Sequence, residues 1–205
     1  MFITFEGGEG TGKSTLLEII TKSMEEKGYD VVLTREPGGS GSNFSESIRN
    51  LVLDPQYKNV NPYTEALLYA ASRAQHLDEV ITPALNENKI VLCDRYIDSS
   101  FAYQAFARNL GLEYVLNINK YALDKLPTLT FYIDLDPKIG LDRIKNRKKS
   151  DRLDREELKF HNKVREGYLE VAKLYPERIV KIDGTKSIAE ITIIIIEEIN
   201  KRLWI

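Results

Sequence analysis

This chain has little cysteine, little net charge and no long apolar run, and each shortage excludes something. Cys93 is the single cysteine among 205 residues, so no internal disulfide can form and a reducing compartment is expected. Cys93 itself reads as a small buried residue closing a strand. Charge of one sign is missing too: 29 Lys and Arg against 31 Asp and Glu leave a net charge of -2. That balance gives no footprint for a nucleic acid or a membrane surface, so any phosphate chemistry must come from local basic clusters. The tract Ile193 to Ile196 is too short to span a bilayer. The apolar start, Phe2 to Phe5, is only a strand long and runs into a glycine loop, so no leader is expected and the cytoplasm is the expected address. The two histidines, His76 and His161, are expected to pack or lie on helix surfaces rather than act as acid or base.

What is present is globular: 42 % apolar and 29 % charged residues, with no repeat, low-complexity tract or linker to divide residues 1–205. Strand-like runs recur at residues 1–5, 30–34, 89–93, 130–134 and 178–182. They are nearly continuous rather than alternating, as in strands covered by helices on both faces. Between them lie helical spacings, such as Leu16, Ile20 and Met24 before a stop at Gly28, and a long apolar stripe over residues 66–85. Residues 188–203 place Ile188, Ile191, Ile195, Ile199 and Leu203 on one face and read as a helix despite their β-branching. Alternation of this kind predicts an α/β fold with a parallel sheet.

The stretch FEGGEGTGKST, Phe5 to Thr15, holds the pattern GxxxxGK[ST] from Gly7 to Ser14, directly after a strand and before a helix. That is the context a P-loop requires. Gly7, Gly8, Gly10 and Gly12 let successive backbone N–H groups, those of Glu9 and Thr11 included, turn onto phosphate oxygens. Lys13 supplies a point charge, Ser14 a hydroxyl for Mg²⁺, and the helix that runs on through Thr15 a positive N-terminus. In IVLCDRYIDSS, Asp94 ends a buried strand, where an open α/β sheet binds its ligand, and reads as a second Mg²⁺ partner. Arg95 beside it and Arg35 of TREPGG are candidate bidentate phosphate clamps.

At this point the chain resembles the thymidylate kinase family. The likeness rests on FEGGEGTGKST, TREPGG, TEALLYAASRAQHL, CDRYIDSSFAYQ and DRLDREELKFHNKVREGYLE, which follow the family's order from residue 2 to about 170. It implies a P-loop NTPase-type three-layer fold with a five-stranded parallel sheet in order 2-3-1-4-5, a short lid near residues 141–156, and a homodimer packed through residues 66–85 and 98–109. It also implies ATP with Mg²⁺ as donor and dTMP as acceptor. By the resemblance, Arg35 and Arg95 hold the dTMP phosphate with help from Arg49, and Glu9 lies by the sugar. Tyr69 stacks on the base, Arg73 bonds its edge, and Ser99, Ser100, Tyr103 and Gln104 complete the pocket. Pro37 matches the family's cis proline.

Charge poses the remaining question. ATP carries about four negative charges and dTMP about two, and unit charges ~5 Å apart at an effective dielectric of ~20 repel by about 3 kcal/mol. One lysine and one metal are too few. Some family members carry an arginine in the P-loop where this chain has Gly10, and the other subgroup supplies arginines from a mobile lid. Here the segment DRIKNRKKSDRLDRE offers Arg152, expected first as the transition-state cation, then Arg147, then Arg143. Lys148 and Lys149 read as solvated hinge residues. Competing readings are a deoxynucleoside kinase of the same superfamily, which needs a carboxylate base, and a P-loop switch. A guanine-reading switch wants an NKxD element, and the nearest stretches, at Asn119 and Thr185, lack the acid.

Overall fold

The computed structural model describes residues 1–145 and 151–203. Five strands, β1 (Phe2–Glu6), β2 (Val31–Arg35), β3 (Ile90–Asp94), β4 (Leu129–Asp134) and β5 (Ile179–Asp183), form one parallel sheet in the order β2-β3-β1-β4-β5. The helices between them are α1 (Lys13–Glu26), α2 (Asn43–Leu53), α3 (Pro62–His76), α4 (Thr82–Asn86), α5 (Ile97–Ser100), α6 (Leu112–Ile118), α7 (Lys120–Leu123), α8 (Pro137–Ile144), α9 (Leu158–Leu174) and α10 (Ile188–Leu203). The strand assignment and the C-terminal helix agree with the apolar spacing to within a residue.

Successive strand side chains point to opposite faces, and two cores result. Ile3, Phe5, Leu92, Phe131 and Ile182 pack with Leu16, Ile20 and Met24 of α1 and with Ile191, Ile195 and Ile199 of α10. Phe2, Val91, Cys93 and Tyr132 pack on the other face with Phe101, Ala102, Val164 and Tyr168. Cys93 is fully buried, as a structural thiol should be.

The long helix over residues 66–85 is interrupted. A π-helical turn, Leu77–Ile81, precedes Pro83, and the Thr82 N–H reaches back to the carbonyl of Leu77. The proline ring cannot fit behind an ordinary α-turn, because it lacks an N–H and collides with the carbonyl four residues earlier; widening the turn relieves the clash. A second π-helical segment, Phe101–Ala107, follows α5 and carries Tyr103 and Gln104. Nothing in the apolar spacing marks either widening.

Register decides where the chemistry gathers. Arg35 at the end of β2 pairs with Asp94 at the end of β3, and Asp94 pairs with Phe5 on β1, the strand that feeds the glycine loop. All three lie at the carboxyl edge of neighbouring strands, where an open α/β sheet binds its ligand.

Candidate active site

The loop after β1 is built around its glycines. Gly12 has φ 88 as the residue capping α1, and Gly10 has φ 67, conformations costly for any other residue. Gly8 is not among the glycines with positive φ, and a Cβ there would meet nothing within 4 Å. No side chain caps α1, so its first N–H groups remain available to an anion. Lys13 is buried under the loop, where Nζ donates to the carbonyls of Gly7 and Gly8 at 3.2 and 3.0 Å and to Thr11 Oγ1. Ser14 and Thr15 are exposed on the first turn. Asp94 Oδ1 is buried and takes no hydrogen bond among the described residues. An orphaned carboxylate oxygen near a serine hydroxyl is the hard-oxygen donor set that suits Mg²⁺. No cluster of three His, Cys, Asp or Glu able to hold a metal occurs among the described residues, so phosphate oxygens and water would have to complete the shell.

Arg95 connects the two halves. Its backbone has φ 69, a sparsely populated conformation for a residue with a Cβ. Its N–H bonds the Phe5 carbonyl at 2.9 Å, which fixes the strained residue beside the loop. Nη1 donates to the carbonyl of Gly7 at 2.8 Å and to Tyr168 Oη at 3.0 Å; Nη2 donates to Glu9 Oε1 at 2.6 Å. Tyr103 Oη also donates to Glu9. Burial alone would raise the Glu9 pKa, but Arg95 and Lys13 hold it down at about 2. Glu9 is therefore a permanent anion and a poor base at neutral pH.

Behind Arg95 sits Glu6, fully buried at the end of β1, accepting from the Tyr96 N–H, Ser99 Oγ and Tyr168 Oη. Burial first, and the Asp98 charge second, raise its pKa to about 7, against the opposing effects of Ser99, Arg95 and Tyr168. The unfolded value is 4.5, so between pH 4.5 and 7 the folded chain binds more protons than the unfolded one. Stability accordingly falls as pH rises through that window and levels off above it. A loss of about 2–3 kcal/mol is expected. Denaturant titrations from about pH 5 to about pH 8 should show it in the wild type and not in Glu6→Gln; equal slopes for the two chains would contradict the assignment.

The acceptor side is set by the loop after β2. The Glu36–Pro37 peptide is cis. Arg35 Nη2 donates to both oxygens of Glu46 at 3.0 and 3.2 Å, and Arg49 Nη1 to the Pro37 carbonyl at 2.7 Å. Glu36 is buried between Arg73 and His76, and His76 in turn meets Thr34 Oγ1. Both histidines are buried, so packing and not surface exposure describes them; His161 Nε2 has no partner among the described residues. Tyr69 is also buried, and its hydroxyl has no hydrogen-bond partner among the described residues.

One cleft is lined by Glu9 to Thr15 of the loop, by Arg35, Pro37, Arg49, Asp94 and Arg95, and by Tyr69, Arg73, Ser99, Ser100, Tyr103 and Gln104. The three groups of residues singled out from sequence thus converge. Of the lid arginines ranked from the sequence, the described ones are Arg152 and Arg143. Arg152 is not over the cradle: Nε donates to the Val52 carbonyl and Nη2 to buried Glu65, and the side chain is 7 % exposed. A guanidinium enclosed by a carboxylate and a carbonyl has little freedom to swing. It is Arg143 whose Nη1 reaches the loop, donating to the Gly10 carbonyl at 3.2 Å. Arg147, Lys148 and Lys149 lie outside the described residues. Lid residues that do line the cleft, Asp151, Leu153 and Asp154, escaped the sequence reading, as did Glu46, Glu65 and Tyr168.

Comparison with known proteins decides the family. The thymidylate kinase model matches residues 5–195. The chain belongs to the thymidylate kinase family. A thymidylate kinase of Acholeplasma laidlawii is 60 % identical over 205 residues, 99 % of this chain and 100 % of that one. One from Geobacillus sp. strain WCH70 is 51 % identical over 193 residues, 93 % of this chain and 91 % of the relative. Among solved structures, thymidylate kinase from Ehrlichia chaffeensis is 32 % identical, covers 98 % of both chains and superposes with a TM-score of 0.79. The fold, the kinase class and the family agree.

Proposed function

We propose that this thymidylate kinase moves the terminal phosphoryl group of ATP, bound with Mg²⁺ at the glycine loop, onto dTMP, giving dTDP and ADP. The observation that carries the reading is Arg95, whose guanidinium ties the loop carbonyl of Gly7 to Glu9 within the same cleft as Arg35 and Arg49. Arg35, Arg49 and Arg95 hold the acceptor phosphate, and Lys13 with the α1 N-terminus holds the donor. Ser14 and Asp94 are the residues that would hold the metal, whose chemistry is to neutralise phosphate charge. The acceptor oxygen is already an anion, so no general base is required and positioning with charge neutralisation does the work. A deoxynucleoside kinase would need a base, and Glu9, held ionised near pKa 2, is unsuited to it. ADP release measured over a panel of nucleosides and monophosphates tests the reading: dTMP turns over strongly, thymidine does not, and the reverse result would end it.

Arg143 is the lid cation in this proposal, because it alone of the described lid candidates touches the loop. Arg143→Ala is expected to lower kcat by roughly 10²-fold with little change in melting temperature. Arg152→Ala is expected to destabilise the chain by about 3 kcal/mol, since buried Glu65 loses a guanidinium partner. Steady-state kinetics beside thermal melts separate the two, and a large kcat loss in a fully stable Arg152→Ala would reverse the assignment.

The proposed assembly is a homodimer, supported by half-exposed Tyr63 and Leu67 on one side of α3. Residues 98–109 contribute less than the resemblance implies, because Asp98, Phe101, Ala102, Tyr103, Gln104 and Ala105 are buried within the chain. No described helix is long and apolar enough to cross a membrane.

A further inference from the structure

Glu65, inside α3, is completely buried and touches none of the phosphate-binding groups. Donors converge on both of its oxygens. Oε1 accepts from Gln104 Nε2 at 3.0 Å and from Arg108 Nε at 3.2 Å; Oε2 accepts from Arg108 Nη2 at 3.1 Å and from Arg152 Nη2. A carboxylate between two guanidinium groups is ionised and can only accept. The Gln104 amide must therefore turn its NH₂ toward Glu65 and its oxygen away. That oxygen accepts no hydrogen bond among the described residues, and Gln104 lines the cleft beside Tyr69 and Arg73.

Arg73 is as constrained. Nε donates to Glu36, Nη1 to Ser100 and Asn119, and Nη2 to the Tyr96 carbonyl, so four of the five guanidinium N–H groups are engaged. Among the described residues, one N–H of Nη2 remains. The cleft thus holds a fixed acceptor on Gln104 and a fixed donor on Arg73. The imide edge of a pyrimidine presents a ring N–H beside a carbonyl oxygen, which matches. A cytosine edge presents a bare ring nitrogen beside an amino group, which mismatches at both positions.

We propose that Glu65 is a positioning residue for base selection: by holding the Gln104 amide in one orientation, it makes the cleft take an imide pyrimidine and refuse a cytosine-type base. The proposal rests on the thymidylate kinase reading. Glu65 touches no substrate and acts through Gln104 alone, while Arg108 and Arg152 keep it in place.

The test is Glu65→Gln. The two Nη2 groups claim the single oxygen of the new amide, its NH₂ faces Gln104 and displaces Arg108 Nε, and Gln104 turns its own NH₂ into the cleft. The ratio of kcat/KM for dTMP to that for dCMP is expected to fall at least roughly tenfold, with a lower KM for dCMP. Both substrates are read on one preparation, so partial unfolding cancels in the ratio, and a merely structural Glu65 would weaken both equally. The charge-balanced pair Glu65→Gln with Arg108→Gln repeats the measurement in a chain without an excess buried cation. On the unaltered chain, dTMP methylated at N3 should bind at least roughly tenfold more weakly than dTMP in calorimetry. An unchanged ratio in a folded variant, or equal binding of the methylated ligand, overturns the proposal. Failure of the unaltered chain to turn over dTMP at all is a different result and removes the underlying reading with it.

Discussion

Arg95→Ala is expected to lose roughly 10³-fold in kcat/KM for dTMP while remaining folded, the size seen when a preorganised donor or phosphate-clamping arginine is removed. The residue contributes three things together. In the proposed reaction it presents guanidinium charge to the acceptor phosphate, and in the structure it braces the Gly7 carbonyl and keeps Glu9 paired. Loss of the side chain removes the strongest positive partner of Glu9 and leaves a buried negative charge less well compensated beside the phosphate sites. Arg95→Lys should not restore activity, because an ammonium cannot reach Gly7, Glu9 and Tyr168 at once in the planar geometry recorded here. Initial-rate kinetics with thermal melts of both variants make the check. Activity within tenfold of wild type in Arg95→Ala would falsify the bridging role.

Gly10→Arg installs the loop arginine found in some family members, and here it is expected to inactivate the enzyme rather than assist it. A Cβ at Gly10 would lie 2.1 Å from the Gly140 carbonyl oxygen and 2.7 Å from its carbon, all backbone of α8. Gly140 has the mirror-image problem, since a Cβ there would come within 2.1 Å of the Glu9 carbonyl oxygen. Loop and helix meet glycine to glycine, and neither can take a side chain without separation. Separation withdraws Arg143, which rides on α8 and donates to Gly10. The expected outcome is a loss of roughly 10²-fold or more in kcat and about 2–3 kcal/mol in stability. Gly10→Ala should cause most of the same damage, because the obstruction begins at Cβ. Full activity in either variant would show that α8 moves aside freely.

The sequence shows a P-loop without its arginine and a basic stretch after β4, which is enough to expect a lid cation. It ranks Arg152 first, and in the folded chain Arg152 pairs with buried Glu65 instead of standing over the loop. Glu65 is 87 positions away and reaches Arg152 only because α3 and the segment after residue 151 are folded together. A long flexible side chain goes to the nearest carboxylate that is already buried, since a buried charge without a partner is costly. For the same reason Glu6, Glu36 and Glu65 were not legible as site residues. Each looks like an ordinary acid in its own helix or strand, and its importance lies in what a distant segment brings to it.

By itself, then, the sequence determined the features that depend on near neighbours: five strands, the glycine loop with Lys13 and Ser14, the arginines Arg35 and Arg95 at the ends of β2 and β3, and the family. Their signals are spacing and backbone freedom, which act over a few residues and survive any packing. Only the tertiary structure decided that Arg143 meets the loop while Arg152 pairs with Glu65, which way the Gln104 amide faces, and that α8 closes on Gly10. Those outcomes turn on contacts between segments far apart in the chain, where burial makes each charge choose one partner.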